Sequence, residues 1–114
     1  MKKITKGFIL LVLIIAIIAS ILIINYYRNN GLNGATAMCI AEKSKLFVSE
    51  RCGHCTNQKQ ILEPYLEKFE LIDVLEHPEV WEKYNLVGVP SWIIDGKTYL
   101  GVQSVNNLKE ITGC

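Results

Sequence analysis

Two cysteines separated by two residues, Cys52-Gly53-His54-Cys55, are the part of this sequence best equipped for chemistry. A thiolate at the first can attack a disulfide, and the second, one helical turn away, is close enough to resolve the mixed disulfide that forms. Cys52 is thereby the attacking thiol and Cys55 the resolving one. The apolar run Leu46, Phe47, Val48 precedes the motif and a segment of helical period follows it, so the pair falls at a strand-to-helix junction. Unpaired N–H groups of a first helical turn favour an anion there. His54, when protonated, and Arg51 add positive charge beside the Cys52 sulfur. A stabilised reduced form makes the matching disulfide a stronger oxidant, which tilts the expected direction toward donating disulfides. Such chemistry calls for no cofactor.

Two blander readings compete with this one. A Cys-X-X-Cys pair can bind zinc, with His54 or Cys39 completing the set, but a structural zinc site needs four ligands and the sequence has no second matched pair. A purely structural Cys52–Cys55 disulfide is the other, and the strand-to-helix placement argues against it.

The elements that position the motif follow from apolar period and turn chemistry. Residues 35–44 form a short helix and residues 45–49 a strand whose unbroken apolar run suits burial on both faces. Residues 56–69 place Ile61, Leu62, Tyr65, Leu66 and Phe69 on one helical face, with a kink expected at Pro64. Residues 70–75 are a second strand, 77–85 a short helix and 91–95 a third strand. Asp95-Gly96 signals a hairpin into a fourth strand at 98–101. Ser104 caps a last helix with Val105, Leu108 and Ile111 on one face, ended by Gly113. Trp92 is assigned to the core or the groove wall beside Pro90, Trp81 to a helix face, and His77-Pro78 to a helix-start turn.

Ahead of this α/β domain, Phe8 to Ile24 is a run of 17 residues in which Ser20 is the only polar one. About 17 to 25 such residues can cross a bilayer as a helix. A cleavable signal peptide has an apolar stretch of roughly 7 to 15 residues with small residues beyond it, whereas Ala16 and Ala19 lie inside this run. The run is read as a transmembrane signal anchor. Lys2, Lys3 and Lys6 precede it and only Arg28 follows closely, so residues 1–7 are expected in the cytoplasm and the remainder outside. Tyr26 and Tyr27 suit the headgroup region, and residues 25–35 read as a flexible linker to a domain at 36–114. That domain keeps eight of the chain's 12 basic residues against all 11 acidic ones, about −3 in net charge, which excludes a nucleic-acid binder of the basic-surface kind.

Cys-Gly-His-Cys after an apolar strand, followed by Val89-Pro90 before a strand and hairpin, resembles the thioredoxin-like pattern, and the four-residue motif is that of protein disulfide isomerases. HCTNQKQ (54–60), VGVPSWIIDGKTYLGVQS (87–104) and LKEITG (108–113) look like the thioredoxin-like domains fused to, or partnered with, homologues of vitamin K epoxide reductase. The resemblance implies a thioredoxin-like fold, a central mixed sheet of about four strands flanked by helices. It implies a cis bond before Pro90, a Val89 backbone that pairs with the substrate chain, and disulfide exchange with a quinone-linked membrane enzyme. Two positions depart from the pattern. Leu46 stands where the family carries a buried acid that helps deprotonate the resolving thiol, with Glu50 nearby but exposed, and Arg51 stands where Trp is common.

Cys39 and Cys114 lie outside the motif. A structural disulfide between them, a second redox pair, and two free thiols all stand as readings, the first being the simplest. Taken together, the expectation is a membrane-anchored thiol-disulfide oxidoreductase passing disulfides to cysteine-containing exported proteins, reoxidised by a vitamin K epoxide reductase-like partner. A reductase or isomerase fed with electrons from the cytoplasm, and a zinc-binding or structural tethering module, stay open as alternatives.

Overall fold

The computed structural model describes Lys3 and residues 5–114, with backbone alone at 27–30. Lys2 and the side chains of Tyr27 and Arg28, on which the flank and headgroup readings partly rest, lie outside the described residues. The chain divides into two compact units, residues 1–31 and 32–114.

The first unit holds one helix, α1 (Lys6–Asn30). Its stretch Lys6–Tyr26 is long and apolar enough to cross a membrane. Ser20 donates its hydroxyl to the Ala16 carbonyl at 2.8 Å, so the one polar side chain of the apolar run is satisfied within the helix. The helix continues to Asn30, beyond the expected end at Ile24, and the next helix starts at Gly34. The expected linker at 25–35 therefore shortens to residues 31–33. Its Asn-rich composition reads as coil, but Asn33 serves as a helix cap, accepting from the Thr36 N–H at 2.9 Å.

In the second unit α2 (Gly34–Glu42) leads into β1 (Ser44–Val48), α3 (Gly53–Leu62), β2 (Leu71–Asp73), α4 (Val80–Lys83), β3 (Ser91–Ile94), β4 (Lys97–Leu100) and α5 (Val105–Thr112). The strands form one mixed sheet in the order β2-β1-β3-β4. β1 and β2 are parallel, as a strand-helix-strand crossover through α3 requires, and β3 is antiparallel to both β1 and β4. Asp95 and Gly96 adopt φ of +52° and +74°, so the two-residue turn has the left-handed backbone that matches strand twist, and Gly takes the second such position without a Cβ penalty.

The alternation of side chains along β1 explains its unbroken apolar run. Leu46 and Val48 face Trp92, Ile94, Ala37, Ile40, Cys55, Leu62, Phe69 and Leu108, while Phe47 points to the other face against Val74, Val80 and Leu86. Trp92 is fully buried with its ring edge-on to Phe69, so it belongs to the core. Trp81 packs in the second cluster, on the α4 face.

In this unit three expected elements change length by more than one residue. The helix expected over 56–69 ends at Leu62, because Glu63 is pushed to an extended backbone (φ −63°, ψ 146°) by the proline that follows it. The Glu63–Pro64 peptide is cis and the chain resumes as a 3₁₀ turn at Leu66–Lys68, so a break replaces the expected kink. α4 begins at Val80 instead of His77, since Asp73 holds the intervening turn through its carboxylate to the Leu75 N–H (2.8 Å) and its carbonyl to the His77 N–H (3.0 Å). β2 shrinks to three residues for the same reason.

Candidate active site

Cys52 is the cap residue of α3, with extended backbone (φ −116°, ψ 111°), and its sulfur accepts the Cys55 N–H at 3.1 Å. A cap sulfur in this position fills the place of the oxygen that usually satisfies a first-turn donor, and the donor is aimed at whatever negative charge the sulfur carries. One turn along, Cys55 faces the core and is fully buried, whereas Cys52 is partly exposed. The two are joined as a disulfide with Cα atoms 5.2 Å apart. A nucleophile arriving from solvent can reach Cys52 alone.

The loop before β3 closes the other side. The Val89–Pro90 peptide is cis, Pro90 is fully buried, and the Val89 carbonyl lies 3.5 Å from the Cys52 sulfur. The Ser91 hydroxyl donates to the Gly88 carbonyl at 2.6 Å and the Gly101 N–H to the Pro90 carbonyl at 2.8 Å, so both flanks of the loop are pinned. Cys52, Cys55, Val89 and Pro90 thus meet at one point, although Cys52 and Pro90 are separated by 38 positions in sequence. Arg51, Gly53 and His54 form the exposed rim. A Cβ at Gly53 would meet nothing within 4 Å, which leaves approach over the disulfide open.

Leu46 is fully buried beneath the site, paired in register with Trp92, and Glu50 is exposed. Cys55 therefore has apolar surroundings, and a proton leaving it finds no carboxylate at the Leu46 position. Cys39 and Cys114 are joined by a disulfide, Cα atoms 6.0 Å apart, which ties α2 to the end of α5. His77 sits exposed in its turn beside Glu79 at 3.5 Å. Among the described residues, no group of three or more His, Cys, Asp or Glu side chains converges as a metal site would require.

Sequence reasoning missed Gln58. It is fully buried on α3 and carries three hydrogen bonds to Trp92 and Gln103. The signal was available, since Cys55, Gln58 and Leu62 are spaced three and four apart and share one helical face.

An exchangeable disulfide capping a helix, one sulfur reachable and the other buried, beside a cis-proline loop on a mixed sheet, defines a thiol-disulfide oxidoreductase. Comparison with known proteins narrows the class. The family model described as Glutaredoxin matches residues 45–98. A thioredoxin from Methanocaldococcus jannaschii is 31% identical over 75 residues, 60% of this chain and 88% of that protein. The solution structure of oxidised thioredoxin from Plasmodium falciparum aligns with a TM-score of 0.44 and 25% identity, covering 72% of this chain and 90% of that one. On the match to the Methanocaldococcus jannaschii thioredoxin, the chain belongs to the thioredoxin-like family.

Proposed function

We propose that this protein is a membrane-anchored oxidoreductase that works outside the cytoplasm and passes its Cys52–Cys55 disulfide to cysteine-containing exported proteins. The observation that carries the exchange step is the unequal exposure of the two sulfurs. A substrate thiolate attacks the Cys52 sulfur, the Cys52–Cys55 bond breaks, and Cys55 leaves as a thiolate that takes a proton from solvent. A second substrate thiolate then attacks the substrate sulfur of the mixed disulfide and releases Cys52. The substrate loses two electrons and gains a disulfide, while the protein gains both electrons as a dithiol.

The compartment is supported by two features of different kind. α1 is long and apolar enough to cross a membrane and follows a lysine-rich start. The Cys39–Cys114 disulfide lies outside the redox motif, and disulfides of that kind persist where the surroundings are oxidising. Turnover then needs a partner that withdraws two electrons from the dithiol, and the resemblance of residues 54–60, 87–104 and 108–113 supports a vitamin K epoxide reductase-like membrane protein in that role.

The deciding experiment is to replace Cys55 with Ala in the full chain and collect disulfide-linked complexes from membranes. Trapped exported proteins and a trapped membrane oxidase support the proposal, and a variant that captures neither overturns it. The likeness to a thioredoxin favours the opposite direction of electron flow. The reduction potential of the couple separates the two: above about −200 mV supports donation, and near about −270 mV supports reduction.

A further inference from the structure

The carboxamide of Gln58 ties the active-site helix to a segment that touches the cis-proline loop. Its oxygen accepts the Gln103 N–H at 2.7 Å and the Trp92 indole N–H at 3.0 Å, and its nitrogen donates to the Gln103 carbonyl at 3.1 Å. Towards Gln103 the side chain acts as a strand would, engaging both the N–H and the C=O of one residue. Gln103 in turn holds the segment before it, donating its own carboxamide to the carbonyls of Leu100 (3.4 Å) and Gly101 (3.3 Å).

That segment reaches the site. Gly101, at φ +94°, donates to the Pro90 carbonyl, and Leu100 approaches so closely that a Cβ at Gly88 would come 3.2 Å from its Cδ1. Leu100 and Val102 are exposed, as is Val87 on the other side of Gly88. These apolar side chains sit on the cis-proline loop, whose Val89 carbonyl lies beside Cys52, and on the segment bonded to it: Leu100 is held by its β4 pairing with Ser91, Gly101 by the Pro90 carbonyl, and Gln103 by Gln58 and by the Asn107 amide. A buried amide is expensive to leave unpaired, so the Gln58 bonds hold the segment in one place.

We infer that Gln58 is a positioning residue for macromolecular substrates: it anchors Gln103 to α3 and thereby, together with the β4 pairing and the Gly101–Pro90 bond, fixes how the segment carrying Leu100 and Val102 stands against the cis-proline loop beside Cys52. Its three hydrogen bonds go to Trp92 and Gln103 and not to the reacting sulfurs. The inference rests on the proposed exchange function and concerns which substrates the site orients. A polypeptide thiol that spans both segments depends on the alignment, and a small dithiol that needs Cys52 alone depends on it far less.

The test is Gln58→Met, of similar length and without the hydrogen bonds, in the full chain. The Cys52–Cys55 disulfide is reacted in single turnover with a reduced, unfolded protein and, separately, with dithiothreitol, each over a range of concentrations, the limiting rate being read as kcat and the half-saturating concentration as KM. The expected result is a fall of about tenfold in kcat/KM for the protein, carried by KM, with a loss at least fivefold smaller for dithiothreitol and the same reduction potential as the wild type. Equal losses for the two thiols, or a loss carried by kcat, overturn the inference. Amide exchange in the wild-type chain is a check independent of any variant: protection of the Gln103 N–H comparable to the interior of α3 supports the inference, and exchange as fast as an exposed loop overturns it. A wild-type disulfide that oxidises neither thiol defeats the functional proposal itself, a different outcome from either failure of the Gln58 reading.

Discussion

Cys52 and Cys55 differ by three positions and by nearly everything else that governs a thiol. The first caps a helix and meets solvent, and the second is sealed among Leu46, Trp92 and Leu62. Replacing Cys52 with Ser is expected to abolish exchange, as measured by oxidation of a reduced model protein. Arg51 precedes Cys52 in sequence, His54 lies between the two cysteines and both side chains are exposed, so any tuning of the couple by them has to act through solvent. His54→Ala is expected to lower the reduction potential of the couple by tens of millivolts, about 30 mV for each 1.4 kcal/mol of thiolate stabilisation removed, measured by equilibration with glutathione. An unchanged or raised potential would mean that the rim charge does not tune the couple. The motif was legible from residue types and spacing alone. Gln58 was legible only through its spacing from Cys55 and Leu62, because a polar side chain is otherwise assigned to the surface.

At the scale of elements, short local signals decided most of the outcome. The apolar run of β1, the Asp95-Gly96 turn and the Ser104 cap were legible because each depends on residues that are neighbours in sequence. Ser104 accepts the Asn107 N–H at 3.1 Å, and Ser104→Ala is expected to cost about 1 kcal/mol, read as a lower urea midpoint with unchanged slope. The end of α3 was misjudged for an instructive reason. Tyr65, Leu66 and Phe69 continue the apolar spacing of Ile61 and Leu62, yet Pro64 imposes an extended Glu63 and ends the helix before they are reached. The same side chains still pack on the core, from a 3₁₀ turn in place of a kinked helix. Period alone reports which side chains face inward, and the backbone that carries them is a separate matter.

For the whole molecule, a domain of about 80 residues has little core to spare. The Cys39–Cys114 disulfide spans a separation of 75 residues, and closing a loop of that length in the unfolded chain stabilises the folded state by about 4 kcal/mol. Cys39→Ser with Cys114→Ser is expected to lower the melting temperature and leave the potential of the Cys52–Cys55 couple in place, checked by thermal unfolding and redox titration of one preparation. A shift in that potential would instead make the second pair part of the redox chemistry. Sodium carbonate extraction at high pH tests the anchor: the full chain is expected to stay in the membrane fraction, and its release would remove the membrane from the proposal. The sheet has a consequence for such confinement. Its two edges, β2 and β4, are three and four residues long, and β4 opens on Lys97. Strands this short offer few free backbone groups to a neighbour, so copies crowded side by side on one surface have little means of zipping into a shared sheet.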